Sequence, residues 1–156
     1  MADTKLKFIV DNNAGKLVTW LRMMGYDTQF FTGADDRQMV SIALKEDRII
    51  LTQDTQVMNF GTVASGKVKA VYIISEEPEA QIKQVIEVLR LDTRLGLFSL
   101  CLECNRPLEA RTKEQVRGRV PPHVFQTQEQ FMECPKCRRI YWKGTHWEDM
   151  VRKLEK

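Results

Sequence analysis

The sequence predicts an α/β protein with a mostly parallel sheet flanked by helices, followed by a small unit built on four cysteines. Up to about residue 96, short apolar segments alternate with segments whose apolar residues recur at helical spacing. The predicted strands are apolar along nearly their whole length, which is typical of a sheet that helices cover on both faces. Beyond residue 96 the helical periodicity is lost, and all four cysteines and four of the five prolines appear. We therefore place a domain boundary between residues 1–96 and 97–156.

Composition and charge restrict the class of protein. The chain has 156 residues, of which 43% are hydrophobic and 29% charged, enough for one core with a small satellite. No apolar run approaches the roughly 18 residues of a membrane span, and the first residues lack the apolar segment of a signal peptide. We therefore expect a cytoplasmic protein that does not enter a membrane.

The charge is distributed unevenly along the chain. Residues 1–98 hold 12 basic and 13 acidic residues, a net charge of −1, whereas residues 99–156 hold 12 and 8, a net charge of +4. The basic excess of the second part favours contact with a polyanion such as RNA. An ordinary solvated surface would explain it nearly as well.

Four strands are predicted, at residues 6–10, 27–31, 48–52 and 69–74. Helices are predicted at 14–24, from 33–36 through 44, at 78–90 and at 146–154, and a hairpin strand at 139–142. Residues 55–68 are ambiguous: they contain one possible helical turn, and then a glycine-bounded segment, residues 61–66, that we interpret as a mobile loop.

Three aspartates follow strands or begin helices of the predicted sheet. Asp11 ends the first strand, Asp54 follows the third, and Asp36 lies at the start of a crossover helix. Ligands of open α/β sheets bind beyond the carboxyl ends of the strands, and carboxylates that converge there repel one another unless a divalent cation lies between them. Mg²⁺ or Mn²⁺ held in this way can activate water and promote attack on a phosphodiester. Asp36 and Asp54 could instead cap their helices.

The cysteines form two Cys-x-x-Cys pairs, Cys101 with Cys104 and Cys134 with Cys137. Two such turns present four thiolates, the set that a structural zinc ion requires. The 29 residues between the pairs exceed the usual ribbon spacing of about 15–20, so a longer hairpin or an inserted loop is expected. The alternative is four ordinary reduced thiols. A tail of this size has little core of its own, so a metal would stabilise it directly.

These motifs together resemble the Mut-seven C-terminal RNase domain family, a group placed among the PIN-like nucleases. The similarity covers about residues 6–150. The matching positions are Val10-Asp11, Gly15-Lys16-Leu17, Trp20-Leu21-Arg22, Gly25-Tyr26-Asp27-Thr28, Asp36, Met39-Val40, Ile42-Ala43, Ile50-Leu51-Thr52-Gln53-Asp54, Cys101, Cys104-Asn105, Val120-Pro121-Pro122, Cys134-Pro135, Cys137, Tyr141-Trp142 and Gly144-Thr145-His146.

The resemblance implies a PIN-like sheet with metal-dependent ribonuclease activity that prefers single-stranded RNA. Asp11, Asp36 and Asp54 would bind catalytic Mg²⁺ or Mn²⁺, and the four cysteines would bind Zn²⁺ in a ribbon that aids RNA binding. The sequence departs from the family pattern at Thr19 and Gln53, where basic residues are expected, and no fourth acid follows soon after Asp54.

Two other functions are open to the same sequence. One is a catalytically inactive PIN-like module that binds RNA or a ribonucleoprotein, which the absence of a fourth acid favours. The other is a phosphoreceiver-like domain. That class needs an acidic pair after its first strand, whereas Asn12 and Asn13 follow Asp11 here, and it gives the cysteines no role.

Basic and aromatic residues supply candidate RNA contacts. Lys16 and Arg22 lie on the helix after Asp11 and could hold phosphates near the cation. In the tail, bases alternate with aromatic residues, at Arg138, Arg139, Tyr141, Trp142, Lys143, His146 and Trp147. This pattern is compatible with base stacking and phosphate contacts, and equally with aromatic residues packed beneath a zinc knuckle.

Overall fold

The computed structural model describes residues 6–154. The chain begins with a parallel α/β unit, whose elements are β1 (Lys7–Val10), α1 (Lys16–Met23), β2 (Asp27–Phe30), α2 (Asp36–Glu46), β3 (Ile49–Thr52), α3 (Thr55–Met58), α4 (Gly61–Ala64), β4 (Ala70–Tyr72) and α5 (Pro78–Leu89). The tail contains β5 (Glu109–Arg111), α6 (Pro122–Thr127), β6 (Phe131–Glu133), β7 (Ile140–Tyr141) and α7 (Thr145–Leu154). None of the helices described within residues 6–154 has the length and apolar character needed to span a bilayer.

The first sheet has four parallel strands in the order β2-β1-β3-β4. The chain runs from β1 outward to β2, then returns past β1 to β3 and continues to β4. The direction of winding therefore reverses between β1 and β3, which makes their carboxyl ends the topological switch point where such sheets bind ligands.

Helices cover both faces of this sheet. On one face, Phe8, Val10 and Leu51 pack against apolar residues of α1, α5 and α7. On the other face, Ile9 and Ile50 pack against α2, α3 and α4. The alternation follows from the two-residue period of a strand, and it explains why these strands read as continuous apolar runs.

The tail forms its own antiparallel sheet, in the order β5-β6-β7, over a small cluster centred on Val116, Val124 and Phe131. Its last helix returns to the first unit, because Met150 and Leu154 of α7 join the core beneath α1 and α5. The predicted fold class is thereby confirmed: a parallel four-stranded sheet flanked by helices precedes a four-cysteine unit consistent with a zinc ribbon.

One prediction of secondary structure is wrong. Residues 61–66 were predicted to form a mobile loop, but residues 61–64 form α4, and Val63 is buried against the α2 face of the sheet. Only two adjacent apolar residues, Val63 and Ala64, lie between the two glycines. They give no helical period, so the sequence pattern could not reveal a helix of one turn.

Candidate metal centres

Asp11 is held rigidly at the end of β1. Its backbone N–H donates to the Leu51 carbonyl at 3.0 Å, which continues the ladder one residue past the strand. Its Oδ1 accepts a hydrogen bond from the Asn12 N–H at 2.8 Å, and its Oδ2 accepts one from the Thr52 hydroxyl at the same distance. The residue is only 5% exposed, so its carboxylate has a fixed direction.

Thr52 is a residue of this site that the sequence analysis did not single out. Its hydroxyl donates to Asp11 and accepts the backbone N–H of Asp54 at 3.0 Å, so one buried side chain links two of the predicted ligands. The sequence contained a signal for this role, because Thr52 is a hydroxyl residue at the end of an otherwise aliphatic strand, two positions before Asp54.

The other two aspartates differ in their helix-capping roles. Asp54 caps α3 through a hydrogen bond from the Gln56 N–H to its Oδ1, at 2.9 Å, so capping is a true part of its role. In α2 the cap is Asp35, which accepts the Arg37 N–H at 2.9 Å. Asp36 therefore does not cap and instead turns its carboxylate toward Asp11 and Asp54.

Asp11, Asp36 and Asp54 form one cluster at the switch point. Each offers a carboxylate oxygen, and the three oxygens lie within 4.8 Å of one another. Burial, a hydrogen bond shared with Asp54, and the charges of Asp54, Asp11 and Asp35 raise the pKa of Asp36. The cluster is thus electrostatically unfavourable without a cation.

The geometry of the cluster suits a small divalent cation. Mg²⁺ binds oxygen at about 2.1 Å, so two ligands of one octahedral ion are about 3.0 Å apart when adjacent and about 4.2 Å apart when opposite. Small side-chain rotations would bring the three oxygens, now at most 4.8 Å apart, to such separations. The donor set consists of hard carboxylate oxygens, which Mg²⁺ and Mn²⁺ prefer. The carboxylate cluster can therefore hold a metal ion.

The four cysteines form a second cluster. The sulfurs of Cys101, Cys104, Cys134 and Cys137 lie within 4.8 Å of one another, and all four cysteines are free. Cys101 Sγ lies 3.7 Å from Cys137 Sγ. Tetrahedral zinc with Zn–S bonds of about 2.3 Å separates its sulfurs by about 3.8 Å, so the arrangement fits a closed four-thiolate site.

The two cysteine turns have the same backbone structure. In each, the first cysteine's N–H donates to the carbonyl five residues on, and its carbonyl accepts the N–H four residues on. The residue after the second cysteine is left-handed in both, with φ of 60° at Asn105 and 66° at Arg138. This repeated geometry, which four unrelated thiols would not require, presents two sulfurs from each turn.

Two of the thiols have pKa values that are shifted in opposite directions. Burial opposes ionisation of Cys101, but hydrogen bonds from the Tyr141 hydroxyl and from backbone N–H groups lower the pKa of this thiol to about 7. The neighbouring Cys137 thiol and burial raise the pKa of Cys104 to about 12. Tyr141 also accepts the Leu102 N–H at 3.1 Å, so it supports the turn as well as the sulfur.

A buried acid organises the tail beside the second turn. Glu133 is 1% exposed and receives hydrogen bonds from Arg111, Arg119 and Arg138. The hydrogen bond from Arg119, assisted by those from the other two arginines, outweighs burial and lowers the pKa of Glu133 to about 2. Arg138, which was predicted to contact RNA, is therefore paired within the protein, although its side chain remains 68% exposed.

Arg22 does not have the position that its predicted role requires. Its Nε and Nη2 donate to the Thr28 carbonyl, at 3.0 and 2.8 Å, and its Nη1 donates to the Leu102 carbonyl at 2.8 Å. The residue is 9% exposed. Because backbone carbonyls engage its guanidinium and burial excludes solvent, the structure does not support a phosphate contact, and Arg22 instead joins α1 to β2 and the first cysteine turn.

The other predicted RNA contacts occupy different surroundings. Lys16 and Arg139 are exposed, Lys16 in the first turn of α1. Trp142 packs against the small cluster of the tail, as the packing alternative predicts. Trp147 stacks edge-on against Phe98 at 5.9 Å between centroids, and its Nε1 is buried without a hydrogen-bond partner.

The two clusters lie at opposite edges of the parallel sheet. The Asn105 side chain donates to the Asp27 carboxylate at 2.6 Å and accepts the Thr28 N–H at 2.9 Å, which fixes the first cysteine turn to the amino end of β2. The carboxylates lie beyond the carboxyl ends of the strands, about 13 Å away along a four-residue strand. The sequence patterns predicted the residues of both clusters but not the distance between the clusters.

Fold and sites define an α/β domain with an acidic cluster at its switch point and an attached four-cysteine unit. The family model described as Mut7-C RNAse domain matches residues 6–154. The chain therefore belongs to the Mut7-C RNAse domain family, which indicates an RNA-related nuclease role. No curated protein and no solved structure matched the chain.

Proposed function

We propose that this protein is a metal-dependent endoribonuclease that hydrolyses phosphodiester bonds of single-stranded RNA. Residues 1–96 would form the PIN-like nuclease domain, and residues 97–156 a zinc-ribbon domain that aids RNA binding. One observation carries the proposal: Asp11, Asp36 and Asp54 converge within 4.8 Å at the switch point of the sheet. Family membership supports the choice of RNA as substrate. The expected location is the cytoplasm.

Asp11, Asp36 and Asp54 would hold Mg²⁺ or Mn²⁺, which supplies Lewis acidity and a water activated for attack on phosphorus. The protein fixes the direction of these ligands in advance. The Asn12 N–H and the Thr52 hydroxyl orient the carboxylate of Asp11, and the Gln56 N–H orients that of Asp54. Such preorganisation reduces the reorganisation needed when charge develops in the transition state.

The tail would contribute structure and affinity. Cys101, Cys104, Cys134 and Cys137 would bind Zn²⁺ and stabilise the ribbon. Lys16 is close in sequence to Asp11 and exposed, so it is the candidate for holding a phosphate near the carboxylates. Because the ribbon lies at the opposite edge of the sheet, Arg138 and Arg139 would contact RNA that flanks the cleavage site.

The test is cleavage of a labelled single-stranded RNA in Mn²⁺ or Mg²⁺ by wild-type protein, Asp11→Asn and Asp54→Asn. The Asp54 variant keeps its helix cap, because asparagine caps as well as aspartate. Asp35→Asn is the matched control, since it removes a neighbouring carboxylate outside the cluster. We expect both cluster variants to lose cleavage and to retain RNA binding, and the control to cleave normally.

A second function is distinguished by the same assay. An inactive module that binds RNA or a ribonucleoprotein is favoured by the presence of only three carboxylates in the described cluster. Binding by the wild-type protein without cleavage in either cation would exclude the nuclease and support the binding module.

A further inference from the structure

The two outer strands of the parallel sheet, β2 and β4, are covered along their outer edges in different ways. An uncovered edge presents backbone N–H and C=O groups with which a strand of another chain can pair. At β4, the Gln84 side chain donates to the Tyr72 carbonyl at 2.7 Å and accepts the Ile74 N–H at 3.0 Å. Gln84 lies on α5, so the first unit covers this edge with a side chain of its own.

At β2, the outer edge presents the backbone of Thr28. The Phe31 N–H donates to the Val10 carbonyl of β1 at 2.9 Å. Successive residues of a strand direct their backbone hydrogen bonds to alternate sides, so Gln29 also bonds toward β1. The N–H and C=O groups of Thr28 and Phe30 therefore point away from the sheet.

The first cysteine turn covers this edge at Thr28. The side-chain carbonyl of Asn105 accepts the Thr28 N–H at 2.9 Å. The Thr28 carbonyl accepts Nε and Nη2 of Arg22, whose Nη1 donates to the Leu102 carbonyl at 2.8 Å. Both outward groups of Thr28 are therefore tied to the turn, one directly and one through Arg22.

This cover is part of the turn that presents the sulfurs. Asn105 follows Cys104 directly, has a φ of 60°, and donates its N–H to the Cys101 carbonyl at 2.9 Å. Zinc held by the four cysteines would fix the turn in this conformation and keep the Asn105 side chain on Thr28. Without zinc, no coordination bonds join the sulfurs of this turn to those of the second turn, so the cover opens more readily.

The strand itself lacks the features that usually protect an edge, which are lysine, proline and bulges. β2 consists of Asp27, Thr28, Gln29 and Phe30, and it pairs with β1 in an unbroken register. Its single charge, on Asp27, is at the start of the strand, where Asn105 donates to the carboxylate. Threonine and phenylalanine also favour strands. Once uncovered, this edge is therefore competent to pair.

We propose that the first cysteine turn is a zinc-dependent cover over the outer edge of β2, and that the uncovered edge pairs with the same edge of a second copy of this chain. The edge is self-complementary. Two β2 strands related by a two-fold axis run antiparallel, so the outward groups of Thr28 and Phe30 in each copy meet those of the other. Such pairing is independent of RNA cleavage.

The test measures the mass of the full chain by sedimentation equilibrium at several concentrations, with zinc bound and after zinc is removed by a chelator and dialysis. The zinc-loaded protein should stay at 18.2 kDa. The zinc-free protein should approach twice that mass as its concentration rises, and added zinc should restore the monomer. A reductant is present throughout, so that dimers linked by disulfides do not form.

Asn105→Gly separates the cover from the metal. Glycine keeps the left-handed conformation of the turn and removes the side chain from Thr28. This variant should retain about one zinc per chain and still form the dimer. Arg138→Gly is the matched control, because Arg138 has the equivalent left-handed position after the second cysteine pair and its side chain contacts Glu133 instead of β2. It should remain a monomer. Phe30→Lys, added to Asn105→Gly, charges the edge strand and should also restore the monomer.

Amide hydrogen exchange reads the cover directly. In dilute, monomeric samples, the Thr28 amide should exchange about fivefold faster in Asn105→Gly than in the zinc-loaded wild type, the ratio that corresponds to one hydrogen bond of about 1 kcal/mol. Equal exchange would overturn the cover. Zinc-free protein and Asn105→Gly that both stay monomeric would overturn the pairing. A dimer of Asn105→Gly beside a monomeric zinc-free protein would overturn the control by zinc. A dimer that persists in the double variant would overturn β2 as the interface.

Discussion

Replacement of Asp36 by asparagine should stabilise the protein in the absence of divalent cations and abolish its stabilisation by them. The carboxylates of Asp11, Asp36 and Asp54 repel one another, and burial together with this repulsion raises the pKa of Asp36. Neutralising one of the three relieves the repulsion. It also removes a ligand, so the same change should produce two opposite effects.

The magnitudes follow from the geometry. Two unit charges 4.8 Å apart repel by about 0.9 kcal/mol in water and by about 3.5 kcal/mol at an effective dielectric constant of about 20. Asp36 is only partly buried, and its charge also favours the helix start by about 0.3–1 kcal/mol, so we expect a net gain of about 1 kcal/mol. For a chain of 156 residues this raises Tm by about 2–4 °C.

Cations should act more strongly on the wild-type protein. At a cation concentration of 100 times Kd, binding stabilises the folded state by about 2.7 kcal/mol, which raises Tm by roughly 5–11 °C. Thermal unfolding would be recorded against Mn²⁺ concentration, in buffer freed of Mg²⁺ and Mn²⁺ by dialysis. Chelators are avoided because they would also strip zinc from the cysteines.

Asp35→Asn is the control for this experiment, because asparagine preserves the cap of α2 and Asp35 lies outside the cluster. It should respond to Mn²⁺ like the wild type. The reasoning is refuted if Asp36→Asn destabilises the cation-free protein, or if this variant retains the full shift in Tm on addition of Mn²⁺.

Three further predictions concern the attachment and the metal content of the tail. Arg22→Lys should lower the free energy of unfolding by about 1–3 kcal/mol, because buried carbonyls lose donors, and should leave RNA affinity unchanged; weaker RNA binding by a folded variant would restore the phosphate role. Elemental analysis should find about one zinc per chain, and Cys134→Ser should lose it; a folded, zinc-free wild type would refute the zinc site. The hydrogen bonds from Arg48 and Asn105 to Asp27 outweigh its burial and lower its pKa, so its stabilising contribution is present above about pH 4 and lost as pH falls below it. The stability difference between wild type and Asp27→Asn in urea should therefore shrink below about pH 4, and a difference independent of pH would contradict this.

The sequence was sufficient to predict the sheet and the residues of both candidate metal clusters, because local patterns encode them. Asp11 and Asp54 each follow an aliphatic strand, and the strands of a parallel sheet end at one edge. The helix signal placed Asp36 at the start of α2, but only the structure showed that Asp35 takes the cap and leaves Asp36 to the cluster. The cysteine spacing, in turn, encodes two turns whose sulfurs can meet.

Contacts that join distant parts of the chain could not be predicted in this way. Arg22 is buried because Leu102, 80 residues further on, accepts its hydrogen bond. A strand pattern gives no pairing order, so the order β2-β1-β3-β4 could not be predicted either. The sequence gives no reason to bury Glu133. In the structure, three arginines from separate segments surround its carboxylate.

The most direct test of the carboxylate site is a crystal structure of the protein grown with Mn²⁺, with diffraction recorded at the manganese and zinc absorption edges. A manganese peak about 2.1 Å from oxygens of Asp11, Asp36 and Asp54 is expected. A zinc peak about 2.3 Å from the four cysteine sulfurs should appear at the opposite edge of the sheet. A well-ordered carboxylate cluster without manganese, or with the ion bound elsewhere, would contradict the central claim that these three residues form one cation site.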